Sequence, residues 1–400
     1  MPLSQSSTLR FASALSTRDE TRSALREVCE EARERLGGTP GLAMLFFSRH
    51  HAALADHLAA EACNLLGTDN LLGCSGEAIV GTQREIEHEP AISLWLAHWP
   101  GVQTSLLNLQ FERTREGGVI QGWPDHLGGE WPPGTFLMLL GEPFSFPADL
   151  LLDRLNEDRP CVPVVGGLAS GGAAPGENRL LLGRETLAEG AVAALVSGPV
   201  RLRTVVSQGC RPIGKPFVVT RAERNLIYEL GGKPALIQLK ELFDSLPTRE
   251  QQLIQRALHV GRVVSEYQER FEQGDFLVRN VVGIDAGAGA IALGDYIRTG
   301  QTVQFHVRDQ EAADAELTQL LAAARQQSSG AAGALLFTCN GRGTRMFDQP
   351  HHDAEAVRAA LGSIPLAGFF AQGELGPIGR QNFMHGFTAS VAIFEPPGEV

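Results

Sequence analysis

The densest run of residues able to do chemistry is Phe337-Thr338-Cys339-Asn340-Gly341-Arg342-Gly343. Gly341 and Gly343 let the backbone turn sharply and expose N–H groups, which can form an anion-binding nest. Arg342 adds a planar donor fork suited to a carboxylate or phosphate. The run closes an apolar strand, and ligands of open α/β sheets bind beyond the carboxyl ends of strands. Gly373-Glu374 occupies the same place on the strand expected beside it. A cation and a carboxylate at one strand edge can clamp a zwitterion such as an amino acid. The same residues also suit a purely structural pairing of Arg342 and Glu374 with each other or with backbone, and the sequence leaves both open. Cys339 is a candidate nucleophile for amide hydrolysis or acyl transfer, since a nearby guanidinium favours the thiolate. Such an enzyme needs a held base. His351, His352 and His385 qualify only by closeness in sequence, and no G-x-S-x-G or cysteine-protease signature is present, so a plain thiol is the simpler reading.

Two further turns match this one in position. Cys74-Ser75-Gly76-Glu77 follows one buried strand and Gly166-Gly167-Leu168-Ala169-Ser170-Gly171-Gly172 follows another. The second lacks the Gly-Lys-Ser/Thr of a phosphate-binding P-loop. Gly283 to Gly289 contains a G-x-G, but an extended segment follows it where a dinucleotide site needs a helix. His50-His51 and His351-His352-Asp353 lack the i, i+4 spacing of helical metal ligands. No metal is expected, and a single axial histidine for haem leaves no spacing to read.

The elements that must position these turns repeat three times. Gly41–Phe47, a helix near 50–66 capped by Ser48, and Asn70–Cys74 form the first copy. Thr135–Leu140, a helix at 147–157 and Cys161–Gly167 form the second; Gly333–Thr338, a helix at 353–361 and Pro365–Phe370 form the third. Further strands follow each, near 91–98 and 103–110, 178–183, 190–197 and 200–208, and 386–394. Buried strands joined by a crossover helix imply parallel pairs, and strands at hairpin distance make the sheets mixed. The fold class is therefore α/β to α+β, with repeated β-α-β-β units in mixed sheets covered by helices. Other helices are expected at 19–36, 235–246, from Thr248 to about 264, and 309–327; Gly117–Gly134 reads as an irregular loop. A lead-in at 1–38 precedes domains at 39–215 and 216–400.

Composition narrows the function. Glycine makes up 45 of 400 residues, well above the usual ~7%, which points to many positions needing special backbone geometry. The net charge of −12 argues against nucleic-acid or anionic-membrane binding. The start has no secretory or transit pattern and no long apolar stretch follows, so the protein is expected to be cytoplasmic, with its six scattered cysteines as free thiols.

These motifs, with Val206-Ser207-Gln208-Gly209-Cys210-Arg211-Pro212-Ile213-Gly214 and Ala367-Gly368-Phe369-Phe370-Ala371-Gln372-Gly373-Glu374-Leu375-Gly376-Pro377, resemble the FIST family, N-terminal and C-terminal regions both, from about Phe11 to Phe394. The resemblance implies two FIST-like domains and a sensory role for a small ligand such as an amino acid. A subset of the family resembles haem-binding gas sensors. With no room for an output module or an F-box, such a chain would signal to a separate partner. On this reading Cys339, Asn340, Gly341, Arg342, Gly343, Gly373, Glu374, Cys74, Ser75, Gly76, Glu77, Gly166 and Gly167 line the site, and the two regions close on it like a hinge.

Overall fold

The computed structural model describes residues 9–115, 117–124, 127–267, 271 and 273–397. They divide into two compact units. One holds the chain up to Val206, Thr318–Met384 and the chain from Thr388 on; the other holds Ser207–Leu317 and His385–Phe387.

The first unit contains all three repeats. In each, two buried strands pair in parallel across a helix. Leu42–Ser48 pairs with Leu71–Gly76, Phe136–Gly141 with Val164–Leu168, and Gly333–Cys339 with Leu366–Ala371. The crossovers are Ala55–Leu66, Ala148–Asp158 and His352–Leu361. One glycine recurs at the same register position in all three. Gly73, Gly166 and Gly368 lie opposite Leu45, Leu139 and Leu336. A Cβ there would sit 2.2, 1.9 and 1.8 Å from the facing carbonyl oxygen. The mixed α/β architecture expected from the sequence is the one observed.

The repeats exchange strands in a cycle. The hairpin after the first copy, Ala78–Val80 with Glu85–Glu87, pairs with Leu366–Ala371 of the third. The hairpin after the second, Leu180–Leu182 with Glu185–Leu187, pairs with Leu71–Gly76 of the first. The strand after the third, Glu374–Ile378, pairs with Val164–Leu168 of the second. The opposite edges follow the same rule. Gln103–Thr114 passes from the first copy to the sheet of the second, and Arg201–Ser207 from the second to the sheet of the third. Arg10–Ser16 fills the vacant edge of the first sheet, the place a strand leaving the third copy would take. Three mixed sheets result. Their inner faces share one aromatic-rich core that joins Phe46 to Phe337 and Phe369, and Trp95 and Phe136 to Phe394. Thr21–Leu36 and Ala55–Leu66 cover the outer face of the first sheet, and Ala148–Asp158 that of the second.

The second unit is an antiparallel sheet in the order Cys210–Glu223, Thr302–Arg308, Leu258–Val263, Phe276–Asp285, Ala290–Leu293, Leu226–Leu230 and Lys233–Pro234. Cys210–Glu223 also pairs with Leu226–Leu230, so six strands close on themselves around Phe217, Val260, Ile291 and Phe305.

Four local expectations are corrected. The helix from Thr248 stops at Arg256 and a strand begins at Leu258, because His259 to Val263 complete the closed sheet. Part of the 117–134 loop is the strand Gly117–Gln121, paired with Gln110–Thr114. Ser48 does not cap the following turn; its hydroxyl accepts from the Ala91 amide at 3.0 Å. The region between the second and third copies, read as helical, is largely this closed sheet.

Candidate functional site

The strand-exit turns of the three copies, far apart in sequence, meet in the first unit. The Ser75 carbonyl accepts the amides of Ser170 and Gly171 at 3.1 and 3.2 Å. The Ser170 hydroxyl accepts the Glu77 amide at 2.8 Å and donates to the Phe370 carbonyl. Leu168 bonds the third copy twice: its amide to the Gly373 carbonyl at 2.8 Å, its carbonyl to the Gln372 amide at 3.0 Å. The Asn340 amide bonds the Ala371 carbonyl at 3.0 Å. Strand exchange is what makes this convergence, because each turn leads directly into a neighbour's sheet.

Arg342 is wholly buried. Its guanidinium grips Asp353 with two bonds, Nε to Oδ2 at 2.8 Å and Nη2 to Oδ1 at 2.7 Å. Asp353 also accepts from Thr338 Oγ1 at 2.5 Å and lies 2.9 Å from His352 Nδ1. Despite full burial, Arg342 and these bonds hold the Asp353 carboxyl below the usual carboxylate range. Phe347 lies under the guanidinium and stacks on His352. The sequence left open whether Arg342 pairs with Glu374; its partner is Asp353, supplied by the first turn of the crossover helix.

Two other buried carboxyls border this ion pair. Glu85 accepts the Ala354 amide at 2.9 Å. Burial, with Asp353 close by, pushes it up to about 8. Glu374 accepts the Thr388 amide at 3.1 Å and lies against the Cys339 thiol. Burial holds it well above the ordinary carboxyl value, against the pull of Arg342. Burial thus favours the neutral form of both acids beside the one ion pair.

The rim is charged and accessible. Arg345 pairs with Glu77 and donates to the Asn340 carbonyl at 2.8 Å. Glu87 takes the Thr344 amide and hydroxyl at 3.0 and 2.8 Å. The first copy's turn and hairpin therefore hold the 341–346 loop of the third.

Of the residues singled out from sequence, Ser75, Glu77, Cys339, Asn340, Gly341, Arg342, Gly343, Gly373 and Glu374 belong to this network or border it. Gly343, at φ +59°, would place a Cβ 2.7 Å from Glu87. Gly76 backs onto Phe369 in the same region. Gly166 and Gly167 lie one strand behind, opposite Leu375 and Glu374. Cys74 is apart from the rest, packed in the central core with Phe46 and Ile79. Burial alone raises its thiol well above the ordinary value.

Two domain models match along the chain: the FIST N domain over residues 41–233 and the FIST C domain over residues 235–377. The chain belongs to the FIST family. The chain is similar to two uncharacterized proteins. One, from Mycobacterium tuberculosis, is 44% identical over 96% of this chain and 100% of its own length. The other, from Mycobacterium bovis, is 42% identical over 96% of this chain and 99% of its own.

Some FIST residues of consequence escaped the sequence reading. Asp353 was noticed only as a neighbour of two histidines; its place at the start of a crossover helix was the available signal for a buried partner. Arg345, Glu85 and Glu87 gave none, because strand exchange alone brings the 85–87 hairpin to the third copy. Among the described residues, no group of three or more His, Cys, Asp or Glu side chains could hold a metal ion. A cleft of about 360 Å³ lies between Trp123, Trp131 and Leu155. No helix among the described residues is long and apolar enough to cross a membrane.

Proposed function

We propose that this FIST protein binds a small polar metabolite bearing a carboxylate, an amino acid being the first to try, and passes its occupancy to a separate signalling protein. The observation that carries this reading is the meeting of three repeated turns in one hydrogen-bonded network with a charged rim. Family membership supports it, since FIST domains suggest small-ligand sensing. In this reading Arg345 takes the ligand carboxylate. Glu77 takes an ammonium group. The exposed Arg345–Glu77 pair is a weak tie, so a zwitterion can replace it by satisfying both partners. Arg342 stands behind the rim as a positioning residue, fixing the turn through Asp353.

The test is titration calorimetry with a panel of amino acids and small carboxylates on the full chain. A ligand that binds the wild type should bind Arg345→Ala and Glu77→Gln at least tenfold more weakly. Unchanged affinity in both variants would remove the rim from the account. Arg342→Ala is not a test of contact, because it strands Asp353 and disturbs the fold.

A further inference from the structure

This inference rests on the carboxylate-binding reading and names the chemistry of the ligand. Cys339 ends the strand Gly333–Cys339 and is only partly buried. Its sulfur accepts the Gly341 amide at 3.4 Å, and the charges of Arg342 and Arg345 both act on it. Such surroundings favour negative charge on sulfur. Behind the thiol lies Glu374, wholly buried. One carboxyl oxygen accepts the Thr388 amide; the other, Oε1, has no nitrogen or oxygen partner. The side-chain oxygen of Asn340, the next residue, is also buried without a partner. Unpaired buried polar atoms cost stability, so a carboxyl kept this way against a thiol calls for a role. Burial favours the neutral acid form of Glu374. A neutral acid can give a proton to a developing alkoxide but cannot take one from water, which suits addition to a carbonyl better than hydrolysis.

We propose that Cys339 and Glu374 act as a dyad that captures 2-oxo acids, small carboxylates with an adjacent carbonyl, as reversible hemithioacetals. The Cys339 sulfur bonds to the carbonyl carbon while the C=O π bond breaks. The thiol proton passes to Glu374 as the Glu374 proton passes to the carbonyl oxygen. Nothing is oxidised, no group leaves, and Glu374 ends in its starting form. The ligand carboxylate is held at the rim by Arg345.

Glyoxylate and glycine make a matched pair of probes, since only glyoxylate has the carbonyl. The full-length protein is alkylated with iodoacetamide over time, with each cysteine followed by mass spectrometry. Exposed Cys161 is the internal control. Glyoxylate should slow alkylation of Cys339 at least tenfold and leave Cys161 unchanged. Carbon-13-labelled glyoxylate should give a new protein-bound resonance at a tetrahedral carbon, absent in Cys339→Ser, and Glu374→Gln should need at least tenfold more glyoxylate for the same protection. Absence of both protection and resonance in the wild type overturns the proposal without relying on any variant to fold. If calorimetry then shows glycine and glyoxylate binding equally through Arg345, the dyad falls and the carboxylate site stands. If neither these two nor any other small carboxylate binds, both fall.

Discussion

Replacing Arg342 by alanine tests how the third turn is held. The guanidinium is wholly buried and makes two charge-assisted bonds to Asp353, itself wholly buried. After the substitution Asp353 keeps only Thr338 and His352, and its charge is left uncompensated. Removing one partner of a buried pair costs about 3–5 kcal/mol. The pH dependence gives a second signature. In the wild type, the depressed Asp353 pKa contributes stability that is present above the ordinary carboxylate range and lost only in strong acid. In the variant, burial without the arginine raises the Asp353 pKa, so stability falls as pH rises above about 4. The gap between the two proteins should therefore widen from pH 5 to pH 8. Denaturant unfolding followed by tryptophan fluorescence suits the measurement, because Trp95 and Trp99 lie in the core of the same unit. A double variant, Arg342→Met with Asp353→Leu, should recover most of the loss, since apolar replacement of a buried pair is often neutral. A cost below about 1 kcal/mol, or a gap that does not change with pH, would refute the reasoning.

Glu85 titrates in the opposite sense. Its folded pKa of about 8 lies above the unfolded value, so wild-type stability should fall relative to Glu85→Gln from about pH 4.5 to 8, by up to about 1.4 kcal/mol per unit, and then level off. Stability measured across that range checks the slope. Gly368→Ala, at φ +157° and with a Cβ 1.8 Å from the Leu336 carbonyl oxygen, should cost at least about 1–3 kcal/mol in strain. Gly362→Ala, at φ +82° with open space around it, carries backbone strain alone and should cost about 1–3 kcal/mol, less than Gly368→Ala, where the carbonyl clash adds to it. Ser170→Ala removes a hydroxyl bonded to both Glu77 and Phe370; it should cost about 1–3 kcal/mol by denaturant unfolding.

The repeated strand–helix–strand units were legible because each is encoded locally. Gly333–Thr338 is an unbroken apolar run, and 353–361 carries a helical spacing that the structure confirms as His352–Leu361. The turns were legible for the same reason, as glycine clusters at strand ends. The exchange of strands was not. Ala78–Val80 follows the first copy at hairpin distance, and nothing in its residues says that it pairs with Leu366–Ala371 instead of its own sheet. Glu85 and Glu87 were invisible as site residues because their importance depends on that long-range pairing. The closed sheet of the second unit was misread where Leu258–Val263 continues the apolar pattern of the preceding helix, and long-range strand closure overrode local helical spacing. Arg342 was found by its residue type, but its partner could be assigned only once the crossover helix placed Asp353 beneath it.

The most direct test of the account is hydrogen–deuterium exchange with and without a carboxylate ligand found by calorimetry. The three turns are proposed to act as one site, so added protection should appear together at residues 75–77, 168–172, 340–346 and 371–374. Protection confined to a single turn, or to the cleft around Trp123 and Trp131, would contradict it.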